Sequence, residues 1–117
     1  MKYLFLIVLL ASTFTISAQI TPQPKKEIKG KLTEITLFYE NGNIMQHGFY
    51  TEDGTLHAAW ESYDNNGSIS CIAFYNYGVK VGTWTYFTEN KITKIVYNNN
   101  KIESIEEYPR DSRVKNN

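Results

Sequence analysis

Two tryptophans, Trp60 and Trp84, stand 24 residues apart (84 − 60), and the residues around each repeat with them. Trp60 follows Asp53-Gly54 and precedes Tyr63, while Trp84 follows Tyr77-Gly78 and precedes Phe87. Upstream, Gly48-Phe49-Tyr50 corresponds to Ala73-Phe74-Tyr75. A fixed period of ~20–50 residues marks a repeat array, in which each unit buries its apolar surface only against the next copy. This constrains the chain more than its composition does.

The segments between the landmarks are short, β-prone and bounded by turn residues. They run over 32–39, 43–50, 55–63, 68–75, 79–87, 91–97 and 101–108. Asn41-Gly42, Asp53-Gly54 and Asn66-Gly67 lie between them, and such dipeptides between alternating apolar runs are the strongest short-range hairpin signal. Strands joined by tight turns pair antiparallel. The prediction is therefore an all-β, antiparallel meander of up to seven strands. Ile102 and Ile105 have helical spacing, but Asn98-Asn99-Asn100-Lys101 fills a turn slot, so 101–108 is read as a closing strand with a helical turn as the alternative. Alternation puts Trp84 and Tyr86 on one side of their strand and Thr83 and Thr85 on the other, and it turns Tyr63 away from Trp60. Aromatic residues therefore fall on both faces.

Residues 1–18 read as a secretory signal peptide. Lys2 is followed by an almost wholly apolar run, Tyr3 to Ile16, and Ile16-Ser17-Ala18 is a small-residue exit ahead of Gln19. That run is shorter than the ~20 apolar residues a spanning helix requires. A soluble periplasmic or secreted chain is expected, with no integral span after cleavage. Residues 19–30, with Pro22, Pro24, Lys25, Lys26 and Lys29, read as an extended linker, and 109–117 as a fraying tail. From Gln19 onward 11 basic residues (12 less Lys2) face 12 acidic ones, so nucleic-acid binding lacks its electrostatic driver. Cys71 is the single cysteine and is expected to pack as a small hydrophobe on a strand.

At Tyr75-Asn76-Tyr77-Gly78-Val79-Lys80-Val81-Gly82-Thr83-Trp84-Thr85-Tyr86-Phe87 the chain resembles the MORN-repeat family, in its bacterial variant form. Phe49 to Tyr63 is similar, with Ala58 standing where Gly82 stands in the next copy, and the copy after it is degenerate, with Asn100 in the glycine slot and no tryptophan behind it. The resemblance covers roughly Leu32 to Glu107, within a repeat domain expected over 31–108, and implies stacked hairpins in a single elongated, twisted sheet. Variant-repeat proteins have carried two functional labels, antitoxin and nicotinate-nucleotide adenylyltransferase. The first acts in the cytoplasm, and the second needs a phosphate site on an α/β fold that no motif here supplies.

No residue set supports catalysis, and no cofactor is implied. His47 and His57 are ten apart (57 − 47), and two imidazoles with Glu61 fall short of a preorganised zinc site. The carboxylates Glu52, Asp53, Asp64 and Glu89 sit at turns, where Asp and Asn side chains bond local backbone. The aromatic residues are the richest feature. Tyr50, Trp60, Tyr63, Tyr75, Tyr77, Trp84 and Tyr86 are the candidate binding residues, as cross-strand packing pairs or as exposed rings for a protein or cell-envelope partner. Self-association through unpaired sheet edges, giving a homo-oligomer, is the alternative.

Overall fold

A computed structural model describes residues 22–110. The chain forms one open antiparallel sheet, not closed into a barrel. Its strands are β1 (Lys25–Lys29), β2 (Leu32–Phe38), β3 (Ile44–Tyr50), β4 (Leu56–Tyr63), β5 (Ile69–Asn76), β6 (Val79–Lys80), β7 (Gly82–Phe87), β8 (Lys91–Asn98) and β9 (Lys101–Pro109). Sequence order is spatial order, with the two-residue β6 pairing to β5 just before β7 takes over. The predicted all-β meander is thus the fold, and 101–108 is strand.

The turns explain the order. At Tyr39–Asn43, Thr51–Thr55 and Asp64–Ser68 the same pair of backbone bonds closes a three-residue loop, with a glycine in positive φ as its last member. That is a type I turn completed by a glycine bulge, and its geometry suits twisted antiparallel strands. Neighbouring turns at one end of the sheet are also bonded sideways. The Tyr39 hydroxyl donates to the Tyr63 carbonyl, and Asn41 Nδ2 donates to the Asn65 carbonyl, each across 24 residues. The repeat period is therefore a physical spacing between stacked hairpins.

Both ends of the sheet depart from the sequence reading. The linker assigned to 19–30 contains β1, paired with β2 from Lys25↔Thr36 to Lys29↔Leu32. Every β1 side chain is exposed, so no apolar pattern announces the strand; backbone pairing across the turn at Gly30 makes it. At the other end, β9 runs through Pro109, and Arg110 donates from its backbone to the Asn90 carbonyl and from its guanidinium to the Thr88 carbonyl. The tail read from 109 onward thus begins with two anchored residues. The signal-peptide reading and residues 111–117 lie outside the described residues.

The expected strand 79–87 is interrupted at Val81, and the interruption is itself repeated. Gly82 has φ +70° and Ala58, at the same place in the preceding unit, has φ +60°. At each position the register slips by two residues, as in His47↔Glu61 against Phe49↔His57, so the side alternation survives. Left-handed backbone costs an L-residue about 1–2 kcal/mol. Ala58→Gly is accordingly expected to stabilise the fold by up to about 1 kcal/mol after glycine's own entropy loss. Gly82→Ala should cost a similar amount, because its new Cβ would meet Phe74 only at an ordinary 3.8 Å and the strain is purely backbone. Urea titration of the two variants checks both signs.

The core is thin. Among the described residues only Ile35, Trp60, Ala73 and Trp84 are buried hydrophobics, and no large side chain is fully enclosed. All four lie on one face, because Ile35 opposes Gly48, Trp60 opposes Ala73, and both tryptophans share a hollow with Ala73. No second layer covers this tryptophan face among the described residues.

Candidate functional site: the tryptophan face

Each repeat builds the same docking of an indole on the preceding strand. Trp60 Nε1 donates to the Phe49 carbonyl at 3.0 Å, and Trp84 Nε1 donates to the Phe74 carbonyl at 3.0 Å. The bulges at Ala58 and Gly82 disturb the ladder beside these carbonyls, and a buried indole N–H needs such a partner. Tyr50 stands edge-on to Trp60 (5.0 Å, 77°), and Tyr75 repeats the contact with Trp84 (5.1 Å, 65°). Tyr97 and Tyr86 complete the ring cluster around Trp84, over which Lys80 Nζ lies 4.9 Å from the ring centre.

Between the two tryptophans the face dips into a hollow of about 290 Å³. Its walls are aromatic, from Tyr50, Trp60, Tyr75 and Trp84, and its polar lining comes from Gln46, Ser62 and Cys71. Gln46 Nε2 donates to Ser62 Oγ at 3.3 Å, and Ser62 and Cys71 are register partners. Cys71, Tyr75 and Tyr86, in and beside this hollow, are all shifted toward their neutral forms. Burial pushes the Cys71 thiol up, which disfavours the thiolate a nucleophile requires. Burial also raises Tyr75 and Tyr86, with the neighbouring Cys71 and Tyr97 adding to it. The hollow offers apolar rings and neutral hydrogen-bonding atoms, a surface for an uncharged or weakly polar group.

Five of the seven candidate residues converge here. Trp60 and Trp84, at 7% and 5% exposure, are core, so they shape the hollow rather than standing as free rings. Tyr50, Tyr75 and Tyr86 are half-buried against them. Tyr63 and Tyr77 go elsewhere. Tyr77 is 67% exposed at a turn, in positive φ (47°), and packs on His57 with ring centres 4.4 Å apart, while its backbone N–H donates to His57 Nδ1. Tyr63 lies on the opposite face, where its hydroxyl donates to the Glu61 carboxylate.

That bond, with smaller contributions from burial and from the Glu61 charge, pushes the Tyr63 pKa up to about 12. Because the folded value is raised, the pair's stabilisation is fully present below the ordinary tyrosine pKa of about 10. It is lost as pH climbs through about 12. Glu61→Gln is expected to return Tyr63 toward about 10. An NMR titration of the Tyr63 ring resonances tests this, and an unmoved midpoint would remove the assigned cause.

The histidines do not meet. His47 opposes Glu61 in register and lies 3.7 Å from Glu34, whereas His57 caps Tyr77. Among the described residues no three His, Cys, Asp or Glu side chains gather as a metal set. The turn carboxylates act locally: Asp64 accepts from the Ser68 backbone, and Asp53 is lowered below its usual pKa by the hydroxyls of Thr51 and Thr55. Sequence reasoning missed Gln46 and Ser62, which carry the polar side of the hollow, and Gly48, on which the Trp60 ring rests. The signal for Gly48 was the small residue shared by the slots of Gly48 and Ala73. No protein-family model matches the chain, and neither a curated protein nor a solved structure matches it.

Proposed function

We propose that this is an exported MORN-like repeat protein that acts by binding, taking a protein or cell-envelope partner on its tryptophan face. The observation that carries the reading is the half-covered hollow between Trp60 and Trp84, walled by half-buried tyrosines and furnished with neutral polar atoms on a face with no second layer among the described residues. Exposed apolar concavities with a few convergent polar groups are the ordinary form of a binding site. Export rests on the apolar run before Ile16-Ser17-Ala18, and it places the partner in the periplasm or outside the cell. Binding is favoured over turnover because the site's thiol is raised by burial and both histidines are engaged elsewhere.

The two tryptophans are the only ones in the chain and both line the hollow, so their emission reports its occupation directly. A photo-crosslinking side chain at Ser62 should give a discrete adduct in the native envelope, and the same group at Phe74, on the other face, should not. The adduct from Ser62 should disappear when Leu56→Lys puts a charge into the hollow, with the circular-dichroism spectrum unchanged. Equal adducts from both faces, or none from Ser62, would overturn the reading.

A further inference from the structure

The two outer strands of the sheet are complementary to each other, and the geometry points to head-to-tail assembly of this chain, with β1 of one copy pairing to β9 of the next. This rests on the edges alone and is independent of what occupies the tryptophan face. Among the described residues nothing pairs with the outer edge of either strand. Each edge therefore presents a row of unsatisfied backbone donors and acceptors, which is a template for another strand.

Three observations select a second copy as the occupant. The first is charge. β1 carries Lys25, Lys26 and Lys29 against Glu27, a net of +2 (3 − 1), while β9 carries Glu103, Glu106 and Glu107 against Lys101, a net of −2 (1 − 3). Lys29 is already paired with Glu34, and Glu107 with Lys91. Lys25 and Lys26 have no ion pair among the described residues. Glu103 and Glu106 accept only from the neutral Asn98 and Tyr108, and Lys94, the register partner of Glu106, lies instead over the Tyr108 ring. Lysines alone would read as the charges that keep edges apart. An acidic edge at the far side of the same sheet turns them into a match.

The second is apolar continuity. Ile28 is 81% exposed, and Ile102 and Ile105 are 53% and 57% exposed. Ile28 opposes Thr33, which opposes Tyr50 of the tryptophan face. Ile102 opposes Tyr97 and Ile105 opposes Ile95, with an irregularity at Glu103 that brings both isoleucines to that same face despite their spacing of three. A copy docked edge to edge buries these side chains together. The third is strand direction. An even path of eight strands, from β1 to β9 with β6 set aside, makes β1 and β9 antiparallel, so joining them continues the ladder with the same face outward. Such a contact is heterologous, and it gives a ring or an open ribbon.

The test is sedimentation of the purified chain over a wide concentration range, with charge-reversed edges. Wild type should grow in mean mass with concentration, and less so at high salt. Lys25→Glu/Lys26→Glu and Glu103→Lys/Glu106→Lys should each weaken association by ~tenfold or more, since like charges then face each other across the joint. Mixing the two variants, or combining all four changes in one chain, should restore it. Monomeric wild type at every concentration would overturn the proposal. So would a β1 reversal that associates like wild type, which is the result expected if β9 paired with another β9. Trp60 and Trp84 emission stays constant throughout if the edges alone are engaged, which keeps this outcome separate from occupation of the hollow.

Discussion

Gly48→Ala lowers the folding stability of this chain by about 3 kcal/mol, the upper end for forcing atoms into a filled site. A Cβ at Gly48 would lie 2.1 Å from Trp60 Cδ2 and 2.3 Å from Cε2, well inside contact distance. Retreat of the indole is opposed by the bond from its Nε1 to the Phe49 carbonyl and by its ring contact with Tyr50. Urea denaturation followed by far-ultraviolet circular dichroism measures the loss. Trp60→Leu should recover part of it in the double variant, since a clash between two contacting residues is non-additive. A change smaller than about 0.5 kcal/mol, the range of an ordinary surface substitution, would mean that the ring does not rest on Gly48.

Trp84→Ala should cost about 3–5 kcal/mol, the range for removing a buried large aromatic. Trp84 is 5% exposed and touches Tyr75, Tyr86, Tyr97 and Lys80, so the cavity left behind opens three ring contacts at once. A single-layer sheet with four buried hydrophobics among its described residues has little redundancy to absorb this. Small domains hold only about 5–15 kcal/mol in total. Trp84→Phe separates ring packing from the hydrogen bond to the Phe74 carbonyl, and should cost less, about 1–2 kcal/mol. Thermal melts of the two variants order them. Equal losses would deny the packing its larger share.

The strands and turns were legible because their chemistry is local. Asn-Gly and Asp-Gly impose the turn, the alternating runs impose the strand, and the period of 24 imposes the stacking. The tryptophans were legible as landmarks, but their role as packed core depended on what lies across the sheet. Gly48 shows why. Its vacancy matters only because Trp60 falls on it, and register created that pairing across an irregular β3–β4 ladder. Ala58 was visible as a substitution in a glycine slot, yet its positive φ follows from the bulge that aims the indole, and no pattern of polarity reports a backbone angle. β1 was hidden for the opposite reason: its five exposed side chains leave the pairing to the backbone. Ile102 and Ile105, spaced like one face of a helix, share a face of a strand because the ladder slips between Val96 and Tyr97.

Two successive hairpins hold their indoles in the same way, each Nε1–H on a carbonyl of the preceding strand. The most direct measurement is amide and indole hydrogen exchange on a uniformly ¹⁵N-labelled sample, with cross-relaxation from the two indole protons. Both Nε1–H groups should exchange slowly, and each should show contacts to its own tyrosine, Tyr50 for Trp60 and Tyr75 for Trp84. One protected and one freely exchanging indole, or an indole without contact to its own tyrosine, would contradict the repeat as the unit that builds this sheet.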